Sequence, residues 1–213
     1  MSKINELIEN LCPDGVEYKP IIEVFDIRGG YTPSKNNPDY WTNGTVPWFR
    51  MEDIRENGHV LSDALQYVSQ MAVKKNGLFP AYSIALATSA TIGEHALITV
   101  ECLGNQRFTF FSCNEKYIQS VNMNFMNYYF YVIDDWCKEH LNHGSFASVD
   151  MTALKKLEIP IPPLPVQEEI VRILDKYTEL EAELEAKLSE EIELKQKQYA
   201  YYRDKLLTFK RKE

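Results

Sequence analysis

The sequence predicts an α+β protein: a mixed α/β domain followed by one long C-terminal helix that pairs as an antiparallel coiled coil. Three observations carry that prediction. Residues 158–165, EIPIPPLP, hold Pro160, Pro162, Pro163 and Pro165; each proline fixes its own φ and steers the residue before it out of the α region, so helix is forbidden until the run ends. From Val166 onward no Gly or Pro interrupts the chain, and Glu168 and Glu169 set negative charge against the positive end of a helix dipole. Ahead of the prolines, short apolar and aromatic runs broken by turn residues lack βαβ regularity.

Taken in order, residues 3–11 form an amphipathic helix stopped by Pro13 and the Asp14-Gly15 turn. A strand is expected at 16–18 and a second across 21–27, where Ile21, Ile22, Val24, Phe25 and Ile27 favour extended backbone. Residues 28–54, RGGYTPSKNNPDYWTNGTVPWFRMEDI, read as a loop whose Gly29-Gly30 pair allows close approach to a partner, with Trp41 and Trp48 bracketing a turn at Asn43-Gly44. Residues 76–98 read as turn, strand, hydroxyl-rich corner and strand, and GNQRFTFF (104–111) as a glycine turn entering a buried strand. An aromatic helical pattern covers 122–141, and Ser148 or Asp150 caps a short helix before the prolines.

Past the prolines, Ile170, Ile173, Tyr177, Leu180, Leu184, Leu188, Ile192, Tyr199, Tyr202 and Leu206 recur at helical spacing, continued by Phe209, with Glu, Lys and Gln between. The steps of four from Leu180 to Ile192 drift from a heptad, which suits a shallow pairing over a regular zipper. The bland alternative is a helix lying on its own domain. At 1.5 Å per residue the helix reaches roughly 60 Å, more than a domain of this size can cover, so pairing with another helix is favoured. The divisions are therefore 1–157, a Pro-rich junction at 158–165, and a dimerisation helix at 166–210.

The chain has 213 residues and a net charge of −8, which argues against a nucleic-acid partner held by bulk charge. No signal peptide opens it, no stretch is apolar enough to span a bilayer, and Cys12, Cys102, Cys113 and Cys137 form no framework. A cytoplasmic location with reduced thiols is expected.

Chemistry-bearing patterns are weak. Asn37-Pro38-Asp39-Tyr40 is similar to the Asn-Pro-Pro-Tyr motif of amino-methyltransferases, but the third residue differs and no Gly-rich cofactor loop exists, so it reads as a turn. Cys137, His140 and His143 have ligand-like spacing, yet positions i, i+3 and i+6 cannot all converge on one ion without a break in the helix, and a fourth ligand is lacking. No GxSxG, P-loop or dinucleotide fingerprint is present. No metal and no catalytic residue is expected.

Five segments in order nevertheless resemble one family. RGGYTPSKNNPDYW with VPWFRMEDI, LATSATIGEHALI, NQRF, GSFASVDMTALKKL and EIPIPPLPVQEEIVRILD, together with the opening ELIENLCPDGVEYKPI, are similar to the specificity subunit of type I restriction-modification systems. The resemblance covers nearly the whole chain and is most specific at the IPIPPLPVQEEIV junction. It implies a non-catalytic subunit whose target-recognition domain (1–157) reads a DNA half-site and whose helix sets a spacer. A full subunit carries two of each; this chain has one, so it resembles a half-size form, either a natural half or a truncation, and pairing of two copies through the helix stripe is expected to rebuild the two-domain arrangement. Recognition partners would be double-stranded DNA, methyltransferase subunits that bind S-adenosylmethionine and methylate adenine, and a restriction subunit. No cofactor is then expected in this chain. DNA-binding candidates are Arg28, Tyr31, Thr32, Ser34 and Lys35, then Arg50, Lys74, Lys75, Ser89, Thr91, Gln106, Arg107 and Ser145. The alternative is a coiled-coil dimeric interaction protein with no sequence-specific DNA role.

Overall fold

A computed structural model describes residues 3–142 and 147–209, and the chain divides into two compact units, Met1–Val171 and Arg172–Glu213. In chain order the first unit contains α1 (Lys3–Leu11), β1 (Tyr18–Pro20), α2 (Ile21–Val24), β2 (Phe25–Gly29), β3 (Val46–Phe49), α3 (Met51–Asn57), β4 (Val60–Leu61) and β5 (Tyr67–Val68). It continues with β6 (Ser83–Ala87), β7 (His95–Ile98), β8 (Leu103–Gly104), β9 (Phe108–Cys113), α4 (Met123–Glu139), β10 (Leu141–Asn142), β11 (Ser148–Val149), α5 (Met151–Leu154) and β12 (Glu158–Pro160). The final element, α6 (Leu164–Leu207), begins in the first unit and forms most of the second.

The central sheet has the order β2-β9-β6-β7-β4, antiparallel except where β4 runs parallel to β7. Both faces are covered over the three inner strands, so β6, β7 and β9 are buried almost throughout while their side chains still alternate between the faces. Ile84, Leu86 and Phe111 meet α4 residues Phe125, Met126, Phe130 and Ile133 on one face. Ala85, Ala87, Phe108 and Phe110 meet Phe49, Met51 and Ile54 on the other. Edge-to-face contacts of Phe111 with Phe25 (6.1 Å between ring centroids) and with Phe130 (5.1 Å) close the first layer. Buried His95 fastens β7 to α4: its Nδ1 lies 2.6 Å from Asp134 Oδ2 and its Nε2 2.8 Å from the Asn127 carbonyl, which only accepts, so Nε2 carries a hydrogen.

A second sheet, β5-β3-β8, is built around Val46, Trp48, Val68 and Leu103. The β1–β12 pair joins the N-terminal segment to the proline run, with Tyr18 opposite Pro160. Buried Gln167 then anchors the start of α6. Its amide nitrogen donates to the Ser120 and Pro162 carbonyls at 2.8 and 2.6 Å, and its oxygen accepts from Asn122 N at 2.8 Å. The Lys3–Glu169 ion pair, 2.7 Å, ties α1 to the same turn.

The expected α+β class and long C-terminal helix are present, with local corrections. The strand anticipated across 21–27 is instead a helical turn at Ile21–Val24 followed by β2. Ile21 and Val24 are both fully buried three residues apart, so packing on one face overrides the β-preference of the β-branched pair. The strand expected at 16–18 lies at Tyr18–Pro20. The long helix starts at Leu164, one residue before Pro165, because Pro163 O already accepts from Val166 N and Gln167 N. Its 44 residues make it about 66 Å long. Asp150, rather than Ser148, caps α5, accepting from Thr152 N and Ala153 N.

In the second unit the apolar stripe is largely uncovered: Tyr177, Leu184, Leu188 and Tyr199 are each more than half exposed, and Leu180 is 44% exposed. Ile170 lies in the first unit, packed against the core layer beneath α4, and Ile173 is half-buried. The stripe open to a partner therefore begins at Tyr177. Among the described residues no helix is long and apolar enough to cross a membrane.

Candidate nucleic-acid interface

The site forms where three segments meet: the loop after β2, the corner between β3 and α3, and the turn between β8 and β9. The loop is drawn in at Gly30, whose N–H donates to Phe108 O at 2.8 Å, and at Tyr31, whose N–H donates to Gly104 O at 2.7 Å. A Cβ at Gly30 would sit 2.2 Å from Asn105 O. The close approach anticipated for the Gly29-Gly30 pair is thus to the chain's own 104–105 backbone, and only Gly30 requires it, since nothing lies within 4 Å of Gly29's Cβ position.

Trp48 and Trp41 hold the loop's far side. The Trp48 indole donates to Tyr31 O (3.0 Å) and the Trp41 indole to Ser34 O (3.1 Å), with the two rings edge-to-face at 5.1 Å. Asn37, Pro38, Asp39 and Tyr40 make the expected turn, with Asn37 Oδ1 accepting from Asp39 N. Arg50 follows β3 directly. Its backbone is pinned in both directions by Asp53, which accepts from Arg50 N at 2.6 Å and donates its own N–H to Arg50 O at 3.1 Å.

Between these segments opens a cleft of about 640 Å³. It gathers five of the sequence candidates: Thr32, Lys35, Arg50, Gln106 and Arg107. Thr32 Oγ1 donates to Gln106 Oε1, joining two of them. Sequence reasoning missed Thr42, Glu52, Gln66 and Asn105, which also line it; isolated polar residues scattered over sixty positions carry no spacing signal. Three cations face one carboxylate, Glu52, in a chain whose overall charge is −8.

The remaining candidates lie elsewhere. The Arg28 guanidinium donates to the Asn76 and Leu78 carbonyls (2.5 and 2.8 Å) and stacks over Phe79 at 4.5 Å, acting as a strut for the loop at 76–78. The Tyr31 hydroxyl bonds Ala72 O and Lys74 N; burial pushes its pKa up, and Lys74 Nζ sits 4.0 Å above its ring. Ser34 and Lys75 are exposed. Ser89 and Thr91 occupy the corner between β6 and β7, where Ser89 bridges to Ser148. Ser145 falls outside the described residues, as does His143 of the ligand-like trio. Cys137 is fully buried in α4, and the His140 ring stacks on Trp136 at 4.0 Å. Among the described residues no three His, Cys, Asp or Glu side chains are grouped to hold a metal ion.

The profile of the type I restriction modification DNA specificity domain matches residues 13–194. The chain belongs to that family. This specificity chain is 49% identical over its whole length to the EcoprrI specificity subunit of a type I restriction enzyme from Escherichia coli, covering 55% of that protein. It is also 35% identical, over 93% of its length, to the EcoR124I/EcoR124II specificity subunit, again from Escherichia coli, of which it covers 50%. It thus spans about half the length of the curated relatives it matches. The HsdS subunit from Thermoanaerobacter tengcongensis shares the fold, with a TM-score of 0.63 at 17% identity over 85% of this chain and 44% of the other. A chain from a structure of the type I R-M system gives a TM-score of 0.69 at 20% identity, over 92% of this chain and 48% of the other. The family is one of specificity domains, not of catalysts, in keeping with the resemblance noted in the sequence.

Proposed function

We propose that this chain is the non-catalytic recognition subunit of a type I restriction-modification complex and reads a DNA half-site through the cleft between the 31–35 loop, the β3–α3 corner and the 105–107 turn. The observation that carries the reading is the collection of Lys35, Arg50 and Arg107 with amide side chains in one cleft of an otherwise acidic chain. Donors of this kind pair with guanine and adenine edges. The shortage of bulk positive charge fits a division of labour in which partner subunits grip the phosphates.

Residues 1–157 act as the target-recognition domain, 158–165 as the junction and 166–210 as the spacer. Two copies pair antiparallel through the stripe from Tyr177 to Leu206 and present two recognition domains about a two-fold axis. The uncovered apolar side chains of that stripe support the pairing. The target is then a bipartite palindrome, methylated on adenine by methyltransferase subunits that hold S-adenosylmethionine, and cleaved when a restriction subunit joins. The whole assembly works in the cytoplasm.

An adenine methylome of cells expressing this chain with its methyltransferase subunit, compared with the methyltransferase alone, tests the reading. One new palindromic bipartite motif is the expected result. An asymmetric bipartite motif would replace the homodimer with two different half subunits, and no new motif would overturn the recognition role.

A further inference from the structure

Within the cleft, Arg50 differs from every other cation. Its side chain is 30% exposed, lies over the Trp48 ring at 5.6 Å, and has a buried Nε with no hydrogen-bond partner. The Nε is closed off from solvent, so the donors a ligand can meet are the terminal amino groups on the part of the side chain that stays exposed. The nearest carboxylate is Glu52, 52% exposed, with Oε2 4.0 Å from Nε. That is the outer limit of an ion pair, so donor and acceptor stand side by side without satisfying one another. Both residues flank the β3–α3 corner, whose backbone Asp53 fixes. The pair is therefore preorganised by the fold.

On this basis, and resting on the DNA-recognition reading above, we infer that Arg50 and Glu52 together read one guanine–cytosine base pair. The guanidinium fork donates to guanine O6 and N7, and the carboxylate accepts from cytosine N4 on the same major-groove edge. A phosphate fits this place poorly, because the Glu52 carboxylate would repel it. Arg107 and Lys35, whose side chains stand on exposed turns of the same cleft, are free to meet phosphates. Arg28, the other arginine near the loop, already has its guanidinium bonded to two backbone carbonyls.

The test is selection of a random duplex pool by the full chain with its methyltransferase subunits, for the wild type, Arg50→Lys and Glu52→Gln. Arg50→Lys keeps the charge and loses the fork. The expected result is a wild-type motif with one invariant G·C pair that relaxes in both variants, the discrimination falling about ten- to a hundredfold, while the rest of the motif persists. If Arg50→Lys weakens all sequences alike, or selects the wild-type motif unchanged, the base-pair assignment is overturned and the recognition reading stands. A wild type that selects no motif overturns both. Glu52→Gln, at an exposed position, keeps the assignment testable should Arg50→Lys disturb the corner.

Discussion

The unit Met1–Val171 and the unit Arg172–Glu213 obtain their order by opposite means. The first buries whole side chains: Phe25, Phe49, Phe108, Phe110, Phe111 and Phe130 are each under 2% exposed. The second is mostly helix, and its large apolar residues from Tyr177 onward, between Leu180 at 44% and Phe209 at 81% exposure, face solvent. Its visible supports are pairs such as Glu183–Lys187 and Glu193–Lys197, worth only about 0.2–0.5 kcal/mol each. Helices in proteins draw most of their stability from packing an apolar face. The first unit therefore carries its own stability in a packed core, whereas the helix of the second has no comparable buried face among the described residues.

The contrast can be broken at four places. The largest effect is expected from replacing Leu180, Leu184 and Leu188 together by Asp. Each buried Leu contributes about 1.5–3 kcal/mol, so self-association measured by sedimentation should fall by orders of magnitude while the domain's thermal transition stays in place. A triple variant that sediments like the wild type would mean the stripe is not the pairing surface. Next comes Phe111→Ala, which opens a cavity between the sheet and α4 and should cost about 3–5 kcal/mol. Its signature is a lowered urea midpoint for the domain with self-association untouched.

Gly30→Ala should cost about 1–3 kcal/mol, because the added methyl meets two backbone carbonyls that cannot swing away, as in other overpacked sites. Gly29→Ala, with nothing within 4 Å of its Cβ position, is the matched control. Equal urea midpoints for the two variants would refute the clamp between the loop and the 104–105 turn. The smallest effect at neutral pH concerns thiols, all of which precede the long helix. Burial pushes Cys137 from an ordinary 9.0 up to about 12 and Cys113 up to about 11. The unfolded chain ionises first, so this stabilisation is whole below pH of about 9 and is lost as pH rises through about 11–12. Alkaline urea titrations should show that slope, and Cys137→Ala should flatten it; an unchanged slope would remove Cys137 as its source.

Local rules were enough for much of the architecture. Prolines at 160–165 followed by an uninterrupted run announced α6, and Asp150, one of the two caps expected, starts α5 because a short side-chain acceptor satisfies free N–H groups there. The same rules failed at residues 21–24, where the isoleucines suggest extended backbone but one buried face requires a turn of helix. At the cleft, Thr32, Lys35, Arg50, Gln106 and Arg107 were legible as hydrogen-bonding residues in turns. Arg28 and Tyr31 looked equivalent to them, although both spend their polar groups on neighbouring backbone. Nothing local distinguishes a guanidinium bonded to carbonyls nearly fifty residues away from one left unpaired. Glu52 gave no signal, because its meaning arises only from its place beside Arg50.

By itself, then, the sequence determined the α+β class, the long helix, its apolar stripe and the family, since each is written in periodicity, proline placement or contiguous motif. Tertiary structure alone decided which polar residues share a cleft. Those residues lie on segments separated by up to about seventy positions, and their convergence depends on the sheet order and on Gly30 fitting against the 104–105 backbone. Chain-distant contacts of that kind are set by packing, which no local spacing encodes.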